Sequence, residues 1–279
     1  MKPKLGQGDF ISGNTPLLKI GKFCDEFDLP NLLVKDESKN PFGTWKDRRS
    51  QTIVEKAKQA LANKLCIITF GNAGYSLAKF CDKTDIKVVS IIDVSLPMPI
   101  KIVLRRACYK VIETDLSEKI LTPNDSIALA RENDKETVWD VTNGFQDAYE
   151  SIIEEIKETV PDYLICPVGS GEGFVGLYNG LRKANLHSKL IGVKPYTNPS
   201  CADKLNTPWT PYEAKIRKIL TEGHGLITLN EKDIKSVYSF SKNLIDCEPS
   251  SSVTFGVLTK LKIKPSAKVI VINSGKGLE

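Results

Sequence analysis

Six short apolar runs, rich in β-branched residues and separated by helical patterns, constrain this chain more than any other feature. They are Leu32 to Lys35, Leu65 to Thr69, Val88 to Ile92, Tyr163 to Pro167, Leu190 to Val193 and Val269 to Ile272. Strands buried on both faces read this way, because neither face is left for polar residues. Between them Ile53, Ala57, Ala60 and Leu61 keep helical spacing, and Asp47 favours a helix N-terminus just before them. Ser76 to Asp82, Tyr149 to Thr159, Phe174 to Ala184, Glu231 to Leu244 and Val253 to Lys260 read as helices in the same way. Such alternation predicts an α/β protein with open parallel sheets covered by helices on both faces. The Pro-, Thr- and Asn-rich stretch from Asn198 to Tyr212 reads as a surface loop.

The chain has 279 residues, 41% hydrophobic and 26% charged, which suffices for two cores or one large α/β core. Its 39 basic residues are interleaved with 34 acidic ones, so there is no stripe of the kind that grips nucleic acid. A mild positive balance suits anionic substrates, although solvated faces explain it equally well. The seven cysteines (Cys24, Cys66, Cys81, Cys108, Cys166, Cys201 and Cys247) form no Cys-x-x-Cys pair, and several sit in apolar runs. They read as small buried hydrophobes in a reducing cytoplasm. No apolar core follows Met1-Lys2-Pro3-Lys4-Leu5-Gly6, and no window approaches a membrane span. His187 and His224 are far apart and lack ligand-spaced neighbours, so neither a metal site nor a Ser-His-Asp triad is expected.

Three strand-to-helix junctions carry chemistry. In Asn40-Pro41-Phe42-Gly43-Thr44-Trp45-Lys46-Asp47-Arg48, a lysine follows a loop broken by Pro and Gly and starts a helix. Most lysines are solvated charges, but one desolvated in this setting can lose its proton and form an imine with an aldehyde cofactor. In Thr69-Phe70-Gly71-Asn72-Ala73-Gly74, glycines allow a tight turn and a helix N-terminus offers N–H groups to an anion. Pro167-Val168-Gly169-Ser170-Gly171-Glu172-Gly173 reads as a phosphate cradle. It is not a dinucleotide fingerprint, because Phe174 occupies the third glycine position, and it lacks the Gly-Lys-Ser/Thr of a P-loop.

Together these motifs resemble those of fold-type II pyridoxal phosphate enzymes, the tryptophan synthase β-like family. The first is similar to that family's Asn-Pro-Thr-Gly-Ser-Phe-Lys-Asp-Arg, the second to its Ser/Thr-Ser-Gly-Asn-Thr/Ala-Gly, and the third to its Val-Gly-x-Gly-Gly. Gly13-Asn14-Thr15-Pro16-Leu17 resembles Gly-Asn/Arg-Thr-Pro-Leu near the start. Glu248-Pro249-Ser250-Ser251-Ser252 and Asn273-Ser274-Gly275-Lys276-Gly277-Leu278 are similar to segments of threonine synthases. The matches keep the family's order from Gly13 to Leu278. The terminal Leu278-Glu279 ends abruptly and could in part be a cloning remnant.

The resemblance implies two open parallel-sheet α/β domains with pyridoxal 5'-phosphate in the cleft between them. The smaller domain would span residues 45–145, and residues 1–44 plus 146–279 would form the larger. Lys46 would be the catalytic residue and the covalent anchor. Asn72 would hold the phenolic oxygen, Gly169, Ser170, Gly171, Glu172 and Gly173 the phosphate, and Ser274 the ring nitrogen. Thr69, Gly71, Asn72 and Ala73 would hold the substrate carboxylate. A hydroxyl at the ring nitrogen suits elimination or replacement on an amino acid rather than transamination. The lean is toward threonine synthase, with cysteine synthase and serine/threonine dehydratase open. A small-molecule amino-acid substrate is expected, with no nucleic-acid or membrane partner, and a homodimer is the assembly expected. Two departures stand out. Phe70 replaces a hydroxyl residue, and Glu172 replaces a glycine, so its side chain should point away from a phosphate. A catalytically degenerate cofactor-binding protein is the reading those departures favour.

Overall fold

A computed structural model describes residues 10–278 except 118, 119, 134, 198, 208 and 209. The N-terminal Met1 to Gly6 and the terminal Glu279 lie outside the described residues. In chain order the elements begin with β1 (Leu17–Leu18), α1 (Gly21–Phe27), β2 (Leu32–Asp36), α2 (Lys46–Gln59), β3 (Lys64–Ile68), α3 (Asn72–Cys81) and β4 (Lys87–Asp93). Next come α4 (Met98–Ala107), β5 (Lys110–Thr114), α5 (Pro123–Ala130), β6 (Val138–Asp140), α6 (Glu150–Ile156), β7 (Tyr163–Pro167) and α7 (Glu172–Lys183). The chain closes with β8 (Lys189–Pro195), α8 (Glu213–Thr221), β9 (Gly225–Leu229), α9 (Glu231–Ser241), α10 (Pro249–Gly256) and β10 (Val269–Asn273).

The strands form two sheets. One has the order β1-β2-β10-β7-β8-β9 and the other β5-β4-β3-β6. Every pairing is parallel except that of β1 with β2. The expected mixed α/β architecture with two parallel sheets is therefore present. Alternate residues feed opposite cores: Ile165, Ile191, Val269 and Val271 enter one apolar cluster, while Leu164, Cys166, Leu190, Ile270 and Ile272 enter another. In the smaller sheet Leu65, Ile67, Val88 and Ile92 pack on one face, and Cys66 and Val89 on the other. Burial on both faces explains why these strands are continuous apolar runs.

All six apolar runs are strands. The edge strands β1, β5, β6 and β9 are not among them. β1 and β6 are only two and three residues long, exposed Lys110 and Glu113 break β5, and β9 carries only the short apolar run Leu226-Ile227-Thr228-Leu229. The stretch from Asn198 to Tyr212 is not simply a surface loop. Ala202 and Tyr212 are buried, and a single helical turn at Asp203–Leu205 packs into the space between the sheets. Its polar composition reflects the cleft it lines rather than bulk solvent.

The sheets are tied together where the chain crosses between them. Thr44 bridges Gly275, the Trp45 N–H donates to the Ser274 carbonyl at 2.8 Å, and the Lys276 N–H donates to the Gly43 carbonyl at 3.0 Å. This contact sets the first turn of α2 against the end of the central strand β10. The carboxyl ends of the strands, where parallel α/β sheets bind ligands, meet at one cleft.

Candidate active site

Lys46 opens α2 and projects into the cleft. No hydrogen bond or ion pair engages its amine among the described residues; its nearest aromatic neighbours are the rings of Trp45 and Tyr149, at 5.7 and 5.6 Å. Burial, reinforced by the charge of Arg49, lowers its pKa to about 8, against the opposing pull of Glu172 and Glu248. The next residues are structural. The Asp47 carboxylate accepts from the Phe42 N–H and the Ser76 hydroxyl, each at 2.6 Å. The Arg48 guanidinium donates to Glu37 and Glu155, binding α2 to the larger sheet.

Asn72 begins α3, the helix after β3. Its amide donates to Glu248 Oε1 at 2.8 Å, while its own Oδ1 is buried without a partner. Thr69 Oγ1 accepts from the N–H groups of Gly71 and Gly74 at 3.1 and 3.0 Å, which leaves only its hydroxyl proton to donate outward. Among the described residues, the N–H groups of Phe70, Asn72 and Ala73 in this turn have no acceptor; that of Gly71 is committed to Thr69. The Phe70 ring packs with the core of the smaller sheet and donates nothing.

Across the cleft, β7 delivers Gly169, Ser170, Gly171, Glu172 and Gly173 to the start of α7. The N–H groups from Gly169 to Phe174 have no acceptor among the described residues. Consecutive free donors at a helix N-terminus suit an anion. Gly171 has φ +91°, and a Cβ there would lie 2.6 Å from Ile216; a Cβ on Gly173 would lie 2.5 Å from the Trp45 ring. Gly171→Val should therefore lower affinity for pyridoxal 5'-phosphate at least ~10-fold through both backbone strain and lost approach. Equilibrium dialysis of the apoprotein measures this, and unchanged affinity would contradict the cradle.

Glu172 is almost wholly buried, with its carboxylate occupied. Oε1 accepts from the Phe145 N–H at 2.9 Å and the Tyr212 hydroxyl at 3.2 Å. Oε2 lies 3.1 Å from Arg49 Nε, as an ion pair whose N–H is not well aligned on the oxygen. Arg49 also donates to the Val141 and Thr142 carbonyls at 2.5 and 3.2 Å. The charge that replaced a glycine is thus matched by a cation from the lysine helix. Ser274 follows β10, and its hydroxyl is 2.7 Å from that of Ser251, which in turn lies 2.8 Å from the Gly275 carbonyl.

The structure brings Lys46, Thr69, Asn72, Ala73, Gly169, Ser170, Gly171, Glu172, Gly173 and Ser274 to one cleft wall or another. Three further charged residues line it that sequence reasoning assigned no role. Arg49 adjoins the lysine motif but looks like any helix cation. Glu248 stood out only as part of a Glu-Pro segment; burial raises its carboxyl to about 7 despite the nearby Lys204 ammonium. Lys204 lay in the stretch read as a surface loop.

The chain matches the model of the pyridoxal-phosphate dependent enzyme family over residues 9–275, and it belongs to that family. It is 26% identical to a threonine synthase of Methanosarcina acetivorans over 65% of this chain and 45% of that protein. A cysteine synthase of Flavobacterium sp. is 29% identical over 67% of this chain and 64% of that protein. The chain thus spans about half to two thirds of the length of these relatives. Maize serine racemase superposes with a TM-score of 0.78 at 15% identity, covering 96% of this chain and 89% of that one. The O-acetylserine dependent cystathionine beta-synthase of Helicobacter pylori gives a TM-score of 0.77 at 21% identity, covering 94% and 92%. These two establish the shared fold. The cofactor is pyridoxal 5'-phosphate, and the site fits it. A lysine amine of lowered pKa, a buried amide oxygen on Asn72 without a partner and two loops whose N–H groups have no acceptor among the described residues border one cleft.

Proposed function

We propose that the chain catalyses elimination or replacement at Cβ or Cγ of an amino acid, in the manner of threonine synthase acting on O-phosphohomoserine. This makes it a lyase or transferase of amino-acid biosynthesis, with cysteine synthase and serine/threonine dehydratase as near alternatives. The observation that carries the reading is an unpaired lysine amine with a pKa near 8 in a cleft bordered by two loops with free N–H groups.

In this reading, residues 45–145 form the smaller domain and the remainder the larger. When bound, the cofactor supplies an aldehyde that captures amines and a ring that withdraws electrons from the α-carbon. Lys46 anchors it and takes the α-proton, since an amine with pKa near 8 is partly neutral at physiological pH. Asn72 would hold the phenolic oxygen, the N–H groups from Gly169 to Gly173 the phosphate, and Ser274 the ring nitrogen. Thr69, Asn72, Ala73 and the Gly71 turn receive the substrate carboxylate. Ser274 would offer the ring nitrogen a neutral hydroxyl rather than a carboxylate, which suits elimination or replacement better than transamination. Glu172 lends little support to a degenerate binding protein, because Arg49 balances it. A cytoplasmic location belongs to the same proposal and accords with seven free thiols, six of them buried.

Holoprotein incubated separately with O-phosphohomoserine, O-acetylserine, L-serine and L-threonine should release phosphate from the first faster than it releases acetate or keto acid from the others. Keto acid from serine without phosphate release would move the assignment to a dehydratase. No cofactor absorbance change with any of the four would contradict the amino-acid reading.

A further inference from the structure

We infer that Lys204 binds the substrate's α-carboxylate, supplying from the larger sheet the charged donor that the carboxylate turn of the smaller sheet lacks. The inference rests on the amino-acid reading above. In the turn itself Phe70 and Ala73 offer no side-chain donor, and both acceptor positions of Thr69 Oγ1 are occupied by N–H groups. What remains is a set of neutral donors: the N–H groups of Phe70, Asn72 and Ala73 and one hydroxyl proton. An ammonium adds to its hydrogen bond the attraction of opposite charges, which neutral donors do not supply to a carboxylate.

Lys204 is placed to be that donor. It lies in the helical turn Asp203–Leu205, on the connection between β8 and α8, and lines the cleft with Thr69, Phe70 and Asn72. Its backbone N–H donates to Ser250 Oγ at 3.1 Å, and its carbonyl packs against Gly169, where a Cβ would lie 3.1 Å from it. The side chain reaches across the cleft, so that Cε lies 3.7 Å from the Cβ position of Gly71. It is 13% exposed, whereas Asp203, which accepts from its ammonium at 2.6 Å, is 45% exposed. A half-exposed partner holds the ammonium weakly, so an incoming carboxylate can share or take it. The other cleft cations are committed, Arg49 to Glu172 and Lys46 to the chemistry. A carboxylate held by Lys204 and by the turn at once joins the two sheets across the opening of the site.

The test uses holoprotein and two probes that differ only at the carboxylate, L-serine and L-serinamide, with apparent Kd read from cofactor absorbance. Lys204→Met should weaken L-serine binding roughly 10- to 100-fold, the range for a lost charge-assisted hydrogen bond. L-Serinamide binding and the absorbance of the probe-free holoprotein should stay as in wild type, and Lys204→Arg should restore most of the L-serine affinity. Equal losses for both probes would mark Lys204 as a structural residue and overturn the assignment, as would wild-type affinity for both. A wild type whose absorbance answers to neither probe would contradict the amino-acid reading instead. Line broadening of isotope-labelled acetate by NMR then decides on Lys204 separately. Broadening by wild-type holoprotein that is lost in Lys204→Met supports it, and equal broadening by both proteins overturns it.

Discussion

Lys46→Ala should lower turnover by about 10²- to 10⁴-fold, the usual effect of deleting a positioned general base, and should abolish covalent retention of the cofactor. The alanine variant keeps the phosphate cradle and Asn72, so it should still bind pyridoxal 5'-phosphate reversibly, with the absorbance of the free aldehyde. The pH dependence of capture follows from the same residue. Only the neutral amine attacks an aldehyde, and burial with the Arg49 charge lowers the Lys46 pKa to about 8. Capture by wild-type apoprotein should therefore be slow below pH 8, rise through a midpoint near it and then level off. An ordinary lysine would place that midpoint near ~10.4. Stopped-flow absorbance across the pH range measures it, and a midpoint near the ordinary value would contradict the environment assigned to Lys46.

The second large effect lies at Arg49. Arg49→Met strands the Glu172 carboxylate, 1% exposed, without its cation. Removing one member of a buried ion pair costs about 3–5 kcal/mol, because the partner keeps its desolvation penalty. Urea denaturation of holoprotein should show a loss of that size. Glu172→Gln in the same background should recover most of it, since a neutral amide can still accept from Phe145 and Tyr212. Arg49→Met should also move the capture midpoint upward, because the cation that helps keep Lys46 neutral is gone. A stability loss under ~1 kcal/mol together with an unmoved midpoint would show that Arg49 and Glu172 are not coupled to each other or to the lysine.

Most of this arrangement was legible in the sequence where the physics is local. Central strands such as Tyr163–Pro167 are buried on both faces and so read as unbroken apolar runs. Lys46, Asn72 and Gly171 sit at or next to the loops that start helices, where Gly and Pro mark the turn and the free N–H groups follow from helix geometry. Edge strands were less legible: exposed Lys110 and Glu113 break the run of Lys110–Thr114, whereas Leu226 to Leu229 of β9 kept an apolar run too short to stand out. Nor was the pairing of Arg49 with Glu172, residues far apart in sequence whose contact exists only once the sheets meet at Trp45 and Ser274. Lys204 was hidden for a related reason, since a stretch rich in Pro, Thr and Asn looks alike whether it faces solvent or a cleft.

The central claim is that Lys46 carries the cofactor, and borohydride reduction followed by peptide mapping tests it most directly. Holoprotein reduced with borohydride and digested should yield one modified peptide, with the pyridoxyl group on Lys46 of the Thr44-Trp45-Lys46-Asp47 segment. A label on Lys204 or any other lysine, or a protein that stays colourless and unlabelled after reconstitution with pyridoxal 5'-phosphate, would contradict it.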